Sequence, residues 1–83
     1  MHIDVTLGGA LVEYLPEGHQ GNRLKLSLVT GVTLADVLND LGISMDQRML
    51  VILNGTVVHA ENFTQAKLND EDKLSLMPPI QAG

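Results

Sequence analysis

The sequence predicts one α+β domain in which a mixed β-sheet packs on one main helix. Three features of the 83 residues support this fold class. Segments near both ends alternate apolar and polar residues, an amphipathic helix with a favourable cap lies between them, and an Asn-Gly hairpin turn follows the helix. The length fits a single domain, whose core has to be aliphatic because only Tyr14 and Phe63 are aromatic.

The first two strands are predicted from the alternation of apolar and polar residues. Ile3, Val5 and Leu7 share one face of the first strand, which ends at a Gly-Gly pair. Residues 23–28 alternate in the same way and can return antiparallel to it. The connection over residues 10–21 is too apolar for a free loop, so we expect part of it to pack on an edge of the core as a helical turn.

The main helix is predicted from its cap and from its apolar stripe. Thr33 is a favourable N-cap, and Asp36 completes a capping box with a short acid. Gly42 is expected to take the left-handed conformation that ends the helix. The stripe follows the spacing i, i+3, i+4 and i+7 and has to face the sheet; it consists of Leu34, Val37, Leu38 and Leu41.

The next strand is apolar on both faces. Met49, Val51 and Leu53 point one way along it, and Leu50 and Ile52 point the other way. Since the helix covers only one set, we predict that the other set contributes to an exposed apolar patch that docks a larger subunit. The alternative is a strand buried on both faces.

Turn signals organise the segment that follows. The Asn-Gly pair at 54–55 predicts a hairpin that returns through residues 56–58. Residues 62–68 are expected to hold a helical turn. Residues 69–72 form an acidic turn, which we interpret as solvated, with the left-handed residue at one of its first two positions rather than at Glu71.

Residues 73–76 alternate as the last strand. A right-handed crossover through the helix places this strand beside the first one at the centre of the sheet, which is the β-grasp arrangement. Pro78 and Pro79 end the strand because they lack an N–H donor. We therefore expect a β-grasp domain over residues 1–79 and a flexible C-terminal tail over residues 80–83. Composition alone favours an ordinary frayed terminus; the alternative is a thin tail that presents its carboxylate to the narrow channel of another protein.

Charge and composition argue against several function classes. The net charge of −5, with five basic residues, argues against nucleic acid as a partner. No apolar run approaches the roughly 18 residues of a membrane span, and no signal peptide is visible, so we expect a cytoplasmic location. The chain has no cysteine to carry sulfur, and its three histidines and its acidic turn lack the spacing of metal ligands. No side chain is predicted to be catalytic or to bind a metal.

Six segments together resemble the ubiquitin-like sulfur carriers, and the small subunit of molybdopterin synthase more closely than the thiamin-biosynthesis carrier. The segments are 14–18, 31–34, 41–43, 51–55, 68–74 and 77–80. Each is weak alone. An Asn-Gly turn, an acidic turn and a double proline four residues before a C-terminal glycine, in that order, are together fairly specific.

The resemblance implies a carrier protein rather than an enzyme. In that family an E1-like adenylating enzyme uses ATP to activate the terminal glycine, here Gly83, and sulfur then replaces AMP to give a thiocarboxylate. The carrier binds no cofactor. A synthase large subunit or another sulfur acceptor takes in the loaded tail, for a pterin precursor in molybdopterin biosynthesis. The residues implied in threading the tail are Pro78, Pro79, Ile80, Gln81 and Ala82.

Two departures from the family pattern keep alternatives open. Ala82 stands where the family usually has glycine, and its methyl group restricts φ and widens the tail. Glu71 stands where the family often has glycine. The alternatives are a β-grasp interaction module that binds through its sheet face and a ubiquitin-like modifier whose carboxylate is joined to a lysine. The receiving pathway and the oligomeric state are not specified by the sequence.

Overall fold

The computed structural model describes residues 1–15, 21–44 and 46–78, and in these ranges one α-helix covers one face of a five-stranded mixed sheet. The elements in chain order are β1 (His2–Leu7), a 3₁₀ helix (Gly9–Tyr14), β2 (Arg23–Ser27), α1 (Leu34–Asp40), β3 (Leu50–Leu53), β4 (Thr56–Val57), a second 3₁₀ helix (Ala60–Asn62) and β5 (Lys73–Met77). The strand order is β2-β1-β5-β3-β4, with β1 and β5 parallel at the centre and the other neighbours antiparallel. This is the predicted β-grasp topology. No helix of the described ranges is long and apolar enough to cross a membrane.

The two central strands supply the inner face of the sheet. Val5 lies opposite Leu74 in the parallel register, and Leu7 lies opposite Leu76. These four side chains and Ile3 are at most 1% exposed. The alternation that predicted the two strands therefore places every apolar position of β1 in the core.

Helix α1 covers this inner face with the predicted stripe. Leu34, Val37 and Leu38 are completely buried, and the burial of each such side chain is worth about 1.5–3 kcal/mol before entropy costs. Leu41 is only half-buried, because α1 ends at Asp40 and Leu41 is already its C-cap. The stripe is confirmed, with its last member at the margin of the core.

Both ends of α1 carry the predicted signals. The hydroxyl of Thr33 accepts a hydrogen bond from the N–H of Asp36 at 3.3 Å, and the N–H of Thr33 donates to the Asp36 carboxylate at 2.9 Å. Gly42 has a φ of +78°, the left-handed conformation expected after a helix. A helix of seven residues is unstable alone, and its first N–H groups donate to the carbonyls of Ala66 and Phe63 at 2.8 and 3.0 Å.

Both connections that were expected to contain helical turns contain them. The first connection forms the 3₁₀ helix Gly9–Tyr14, and Leu11 and Leu15 are buried against the core, as predicted. In the second connection the 3₁₀ helix Ala60–Asn62 begins before the expected segment, residues 62–68. A helical turn follows within that segment, where the carbonyl of Asn62 accepts hydrogen bonds from the N–H groups of Gln65 and Ala66, each at 3.0 Å.

Phe63 ties this second connection to the core and to α1. Its side chain is 3% exposed, and its carbonyl accepts the hydrogen bond from the N–H of Ala35 in α1. Farther along, the N–H of Leu68 donates to the carbonyl of Val32 at 3.0 Å. Residues 66–68 therefore run beside the beginning of α1. The helical turn before them includes Phe63, whose φ and ψ are −60° and −36°.

The acidic turn at residues 69–72 is bonded to the beginning of β1. The N–H of Glu71 donates to the carbonyl of His2 at 2.6 Å, and the N–H of His2 donates to the carboxylate of Asp70 at 2.7 Å. Glu71 has a φ of +67°, so the prediction that Asn69 or Asp70 would be left-handed is wrong. Pairing with β1, which is distant in sequence, overrides the local preference of Asn and Asp for this conformation.

Asp72 is buried rather than solvated, which corrects the interpretation of the acidic turn. It is 8% exposed, and its carboxylate accepts hydrogen bonds from the side-chain amide of Asn54 at 2.9 Å and from the N–H of Asn69 at 2.7 Å. The amide oxygen of Asn54 accepts a further bond from the N–H of Lys73 at 2.8 Å. Hydrogen bonds of Asn54 thereby join the hairpin turn to the acidic turn at the first residue of β5.

Candidate functional site

The outer face of the sheet, opposite α1, carries an apolar cluster on β3, β4 and β5. Residues that are paired across neighbouring strands share a face. Leu50 pairs with Met77, and Ile52 pairs with Val57 on its other side. We call these four residues the sheet patch: Leu50, Ile52, Val57 and Met77.

The helix leaves the sheet patch uncovered. Val57 is 46% exposed, and the other three members are half-buried. On the opposite face of β3, Val51 is 1% exposed, and Met49 and Leu53 pack against the core cluster. Among the described residues, the members of the sheet patch are absent from the hydrophobic side chains that pack on this cluster. The prediction that Leu50 and Ile52 form a separate outer set is confirmed, and the register adds Met77 to this set.

A groove extends the sheet patch beyond β4. It has a volume of about 380 Å³ and includes Leu50 and Val57 in its wall. Its wall also contains Met49 and, on its polar side, Arg48, His59, Asp46 and Gln47. An apolar surface with an arginine at its margin has the composition of the core and rim of a protein interface.

The other half of the outer face is polar. His2, Asp4, Lys25 and Lys73 surround a shallow depression, which the acidic turn closes at one end. In the register of the sheet Asp4 lies between Lys25 and Lys73. No group of three or more His, Asp or Glu side chains in the described ranges is arranged to hold a metal ion. The outer face thus divides into an apolar half and a charged half.

The C-terminal segment leaves the sheet over Gly8 and Gly9. The N–H of Gly8 donates to the carbonyl of Leu76 at 2.8 Å. A Cβ atom at Gly8 would overlap the sulfur of Met77, and a Cβ at Gly9 would lie 2.7 Å from Cγ of Pro78. Gly9 also has a φ of +53°, which L side chains rarely adopt. The two glycines therefore allow the end of β5 to lie close to the backbone that directly follows β1.

The sequence alone did not indicate this role of the glycine pair. Two consecutive glycines after a strand predict only that the strand ends there. Glycine residues can also mark the close approach of another segment or a positive φ, but the sequence does not indicate which segment would lie close to them. Its partner, Met77–Pro78, is about seventy residues away in the chain.

Only the first of the predicted tail residues lies in the described part of the chain. Pro78 is exposed and directly follows β5, next to Met77 of the sheet patch. The remaining residues implied in threading and attachment lie outside the described ranges; they are Pro79, Ile80, Gln81, Ala82 and Gly83. Their roles, and the division into a domain over 1–79 and a tail over 80–83, stay predictions.

Comparison with known proteins gives a family match and a set of similar folds. The model of the ThiS family matches residues 10–83. No curated protein sequence matches the chain.

Three solved structures illustrate the similarity in fold. SAMP1 from Haloferax volcanii is 18% identical, with 100% of both chains covered and a TM-score of 0.72. Urm1 from Trypanosoma brucei is 19% identical, with 99% of this chain and 95% of the other covered and a TM-score of 0.65. The complex of subunits 1 and 2 of molybdopterin-converting factor from Helicobacter pylori 26695 contains a chain that is 19% identical, with 100% of both chains covered and a TM-score of 0.58.

Proposed function

The chain belongs to the ThiS family, and we propose on this premise that it is a sulfur-carrier protein of the cytoplasm. In this proposal the carboxylate of Gly83 is adenylated by an E1-like enzyme and is then converted to a thiocarboxylate. One observation carries the proposal: the apolar sheet patch ends at Met77, directly before exposed Pro78. A protein that covers the patch is thereby placed beside the segment that leads to Gly83.

The chemistry assigns the carrier a passive part. A carboxylate is a poor electrophile. Its oxygen first attacks the α-phosphorus of ATP, which releases pyrophosphate and gives an acyl-adenylate. With sulfide as the sulfur source, HS⁻ then attacks the acyl carbon, AMP leaves with the electron pair of the broken C–O bond, and loss of the remaining S–H proton gives the thiocarboxylate. The activating enzyme supplies ATP and the catalytic groups, so this chain has to contribute only a docking surface and a reachable carboxylate.

The acceptor that we propose is the large subunit of a synthase that acts on a pterin precursor. The Helicobacter pylori structure, by its title, is a protein–protein complex of subunits 1 and 2 of molybdopterin-converting factor. Its subunit has the same fold as this chain, and an apolar sheet face of the kind found here is suited to such a contact. The sheet patch is therefore the surface that we assign to both the activating enzyme and the acceptor.

The proposal is tested by loading the chain in vitro. The chain is incubated with an E1-like enzyme from the same organism, ATP and a sulfur source, and its intact mass is measured. We expect the mass of the chain to rise by the difference between one sulfur atom and one oxygen atom. This rise should occur only when ATP is present. The matched variant Ala82→Gly should load equally well or faster, because glycine removes the constraint of the methyl group on the tail.

The same assay separates the alternatives. If neither the natural chain nor Ala82→Gly is adenylated, the carrier proposal is wrong, and the interaction module that binds through its sheet face replaces it. If the chain is adenylated but accumulates as a conjugate with lysine side chains, without a thiocarboxylate, the modifier function replaces it.

The docking surface gives a separate prediction. Ile52→Asp should weaken binding to the activating enzyme by about 30-fold or more, since a charge in the centre of an apolar interface removes a hot spot worth at least about 2 kcal/mol. Its melting temperature should change little, because Ile52 is not among the side chains that pack against the core. Isothermal titration calorimetry measures the affinity.

Thr6→Asp is the matched control for this substitution. Thr6 lies on the same outer face but is paired with Ser75 and Arg23, outside the sheet patch. The Thr6→Asp variant should bind the activating enzyme with an affinity within about twofold of that of the natural chain, as expected for a position outside the hot spot. Equal affinity for Ile52→Asp and the natural chain would show that the partner binds elsewhere.

A further inference from the structure

Strand β2 forms an open edge of the sheet. It pairs with β1 on one side, and no strand of the described ranges pairs with its other side. The opposite edge is β4, which has only two residues, whereas β2 has five. A five-residue edge is long enough to serve as a template for another strand.

Hydrogen bonds at both ends of the β1-β2 pair show which backbone groups of β2 point outward. Met1 and Leu28 exchange two bonds of 2.8 and 2.7 Å, and the N–H of Leu7 donates to the carbonyl of Asn22 at 2.9 Å. In an antiparallel pair such bonded positions recur at every second residue, so the even-numbered residues of β2 bond to β1. The N–H and C=O groups of the odd-numbered residues therefore point to the open edge; these residues are Arg23, Lys25 and Ser27.

The inner face of β2 is apolar and incompletely covered. Leu24 and Leu26 lie opposite Val5 and Ile3, which are completely buried. The two leucines themselves are only half-buried, since they are at the edge that α1 does not cover fully. Just after the strand, Val29 is 74% exposed. A strand added at this edge would cover both leucines.

The outer face of β2 is basic. Arg23 and Lys25 are exposed there and account for two of the five basic residues in a chain with a net charge of −5. Asp4 lies opposite Lys25, but Lys73 flanks Asp4 on its other side. The acidic residues nearby, Asp4, Asp70 and Glu71, lie on the side of β1 and the acidic turn. A strand added on the open side of β2 would therefore meet the two positive side chains of β2, which favours an acidic partner.

We propose that β2 binds an extended acidic segment of a partner protein as a sixth strand. The backbone of this segment would bond to the outward groups of β2. Its alternate side chains would be acidic beside Arg23 and Lys25 and apolar beside Leu24 and Leu26. This site is distinct from the sheet patch and does not depend on sulfur transfer.

Two alternative roles of the open edge have different consequences. Charged side chains on an edge strand also prevent association between sheets, in which case the edge binds nothing. A second copy of the chain could pair with β2, but the two-fold arrangement would bring Arg23 and Lys25 of one copy close to the same residues of the other. Like charges in opposite positions destabilise a strand pair, so the charge favours an acidic segment over a second copy.

The test uses a short capped peptide of alternating valine and glutamate. NMR of the full chain should show the largest amide shifts at Arg23, Lys25 and Ser27 as the peptide is added. A peptide of alternating valine and lysine should bind at least about threefold more weakly, as expected for the loss of surface ion pairs. A valine–glutamate peptide that is methylated on its bonding N–H groups should not bind.

Ser27→Pro separates strand addition from general attraction of charge, because it keeps both Arg23 and Lys25. The N–H of Ser27 points to the open edge, so proline removes a donor without removing a bond to β1. We expect this variant to lose the peptide. The double variant Arg23→Glu with Lys25→Glu should reverse the preference in favour of the valine–lysine peptide. If Ser27→Pro does not fold, this reversal and the loss of binding by the methylated peptide together decide the question.

Several outcomes would overturn the proposal. One is the absence of binding at a peptide concentration of about 1 mM, the weakest affinity that still represents recognition here. Another is a set of shifts confined to the sheet patch. Unchanged binding by folded Ser27→Pro would exclude strand addition. Self-association of the natural chain through β2, seen as concentration-dependent shifts at the same three amides, would make a second copy the occupant.

Discussion

Deletion of Gly83 should abolish formation of the thiocarboxylate and leave the fold intact. The variant still ends in a carboxylate, but a chain that is one residue shorter withdraws it by about 3.3 Å. A misplacement of about 1 Å in an active site can cost about 100-fold in rate. The free energy of unfolding should change by less than about 0.5 kcal/mol, because the core is built from residues between Ile3 and Leu76.

Gly83→Ala is the control that retains the length of the chain. It keeps the carboxylate within reach and adds one methyl group, so we expect it to load slowly rather than not at all. Intact mass after incubation with the activating enzyme, ATP and a sulfur source measures loading for both variants, and urea denaturation measures their stability. If the deletion variant is loaded as fast as the natural chain, the activating enzyme does not require the carboxylate at the position of Gly83.

The elements that sequence predicted correctly are those specified by local patterns. Strand β1 and helix α1 each bury one face, and the spacing of their apolar residues states which face it is. The Asn-Gly turn is equally local: Asn54 and Gly55 have φ values of +51° and +85°, the pair of left-handed conformations that a tight hairpin needs. For these elements the tertiary structure agrees with the propensity of the segment itself.

The features that sequence did not predict depend on contacts between distant segments. Glu71 is left-handed because the turn bonds to His2, and Asp72 is buried because Asn54 and Asn69 satisfy its carboxylate. A run of acidic residues is usually solvated, and no local signal marks one of them as an acceptor shared by two turns.

The candidate site shows the same division. The alternation along β3 was enough to separate Leu50 and Ile52 from the core-facing residues. The two remaining members of the sheet patch, Val57 and Met77, are added by the strand register. Register depends on which residues of two strands pair across the sheet, and the sequence of one strand does not specify this pairing. The outward direction of the β2 backbone groups follows from register in the same way.

Leu38→Ala should have the largest effect on stability, a loss of about 2–5 kcal/mol in the free energy of unfolding. Leu38 is completely buried in the core cluster that the helix stripe forms with the inner face of the sheet. Truncation to alanine removes the transfer free energy of the side chain and leaves a cavity, and only the sum of both terms reaches this size. For a domain whose total stability is about 5–15 kcal/mol, the melting temperature should fall by about 4–8 °C for each kcal/mol.

Leu41→Ala is the matched control, because it makes the same chemical change in the same stripe at a half-buried position. Its loss should be less than half that of Leu38→Ala, since burial of only part of a leucine contributes about 1 kcal/mol. Urea denaturation measures both, and an unchanged m-value would show that the unfolded states are comparable. A loss below about 0.5 kcal/mol for Leu38→Ala would mean that the stripe faces water. Equal losses for the two variants would mean that α1 extends beyond Asp40 and buries Leu41 as deeply as Leu38.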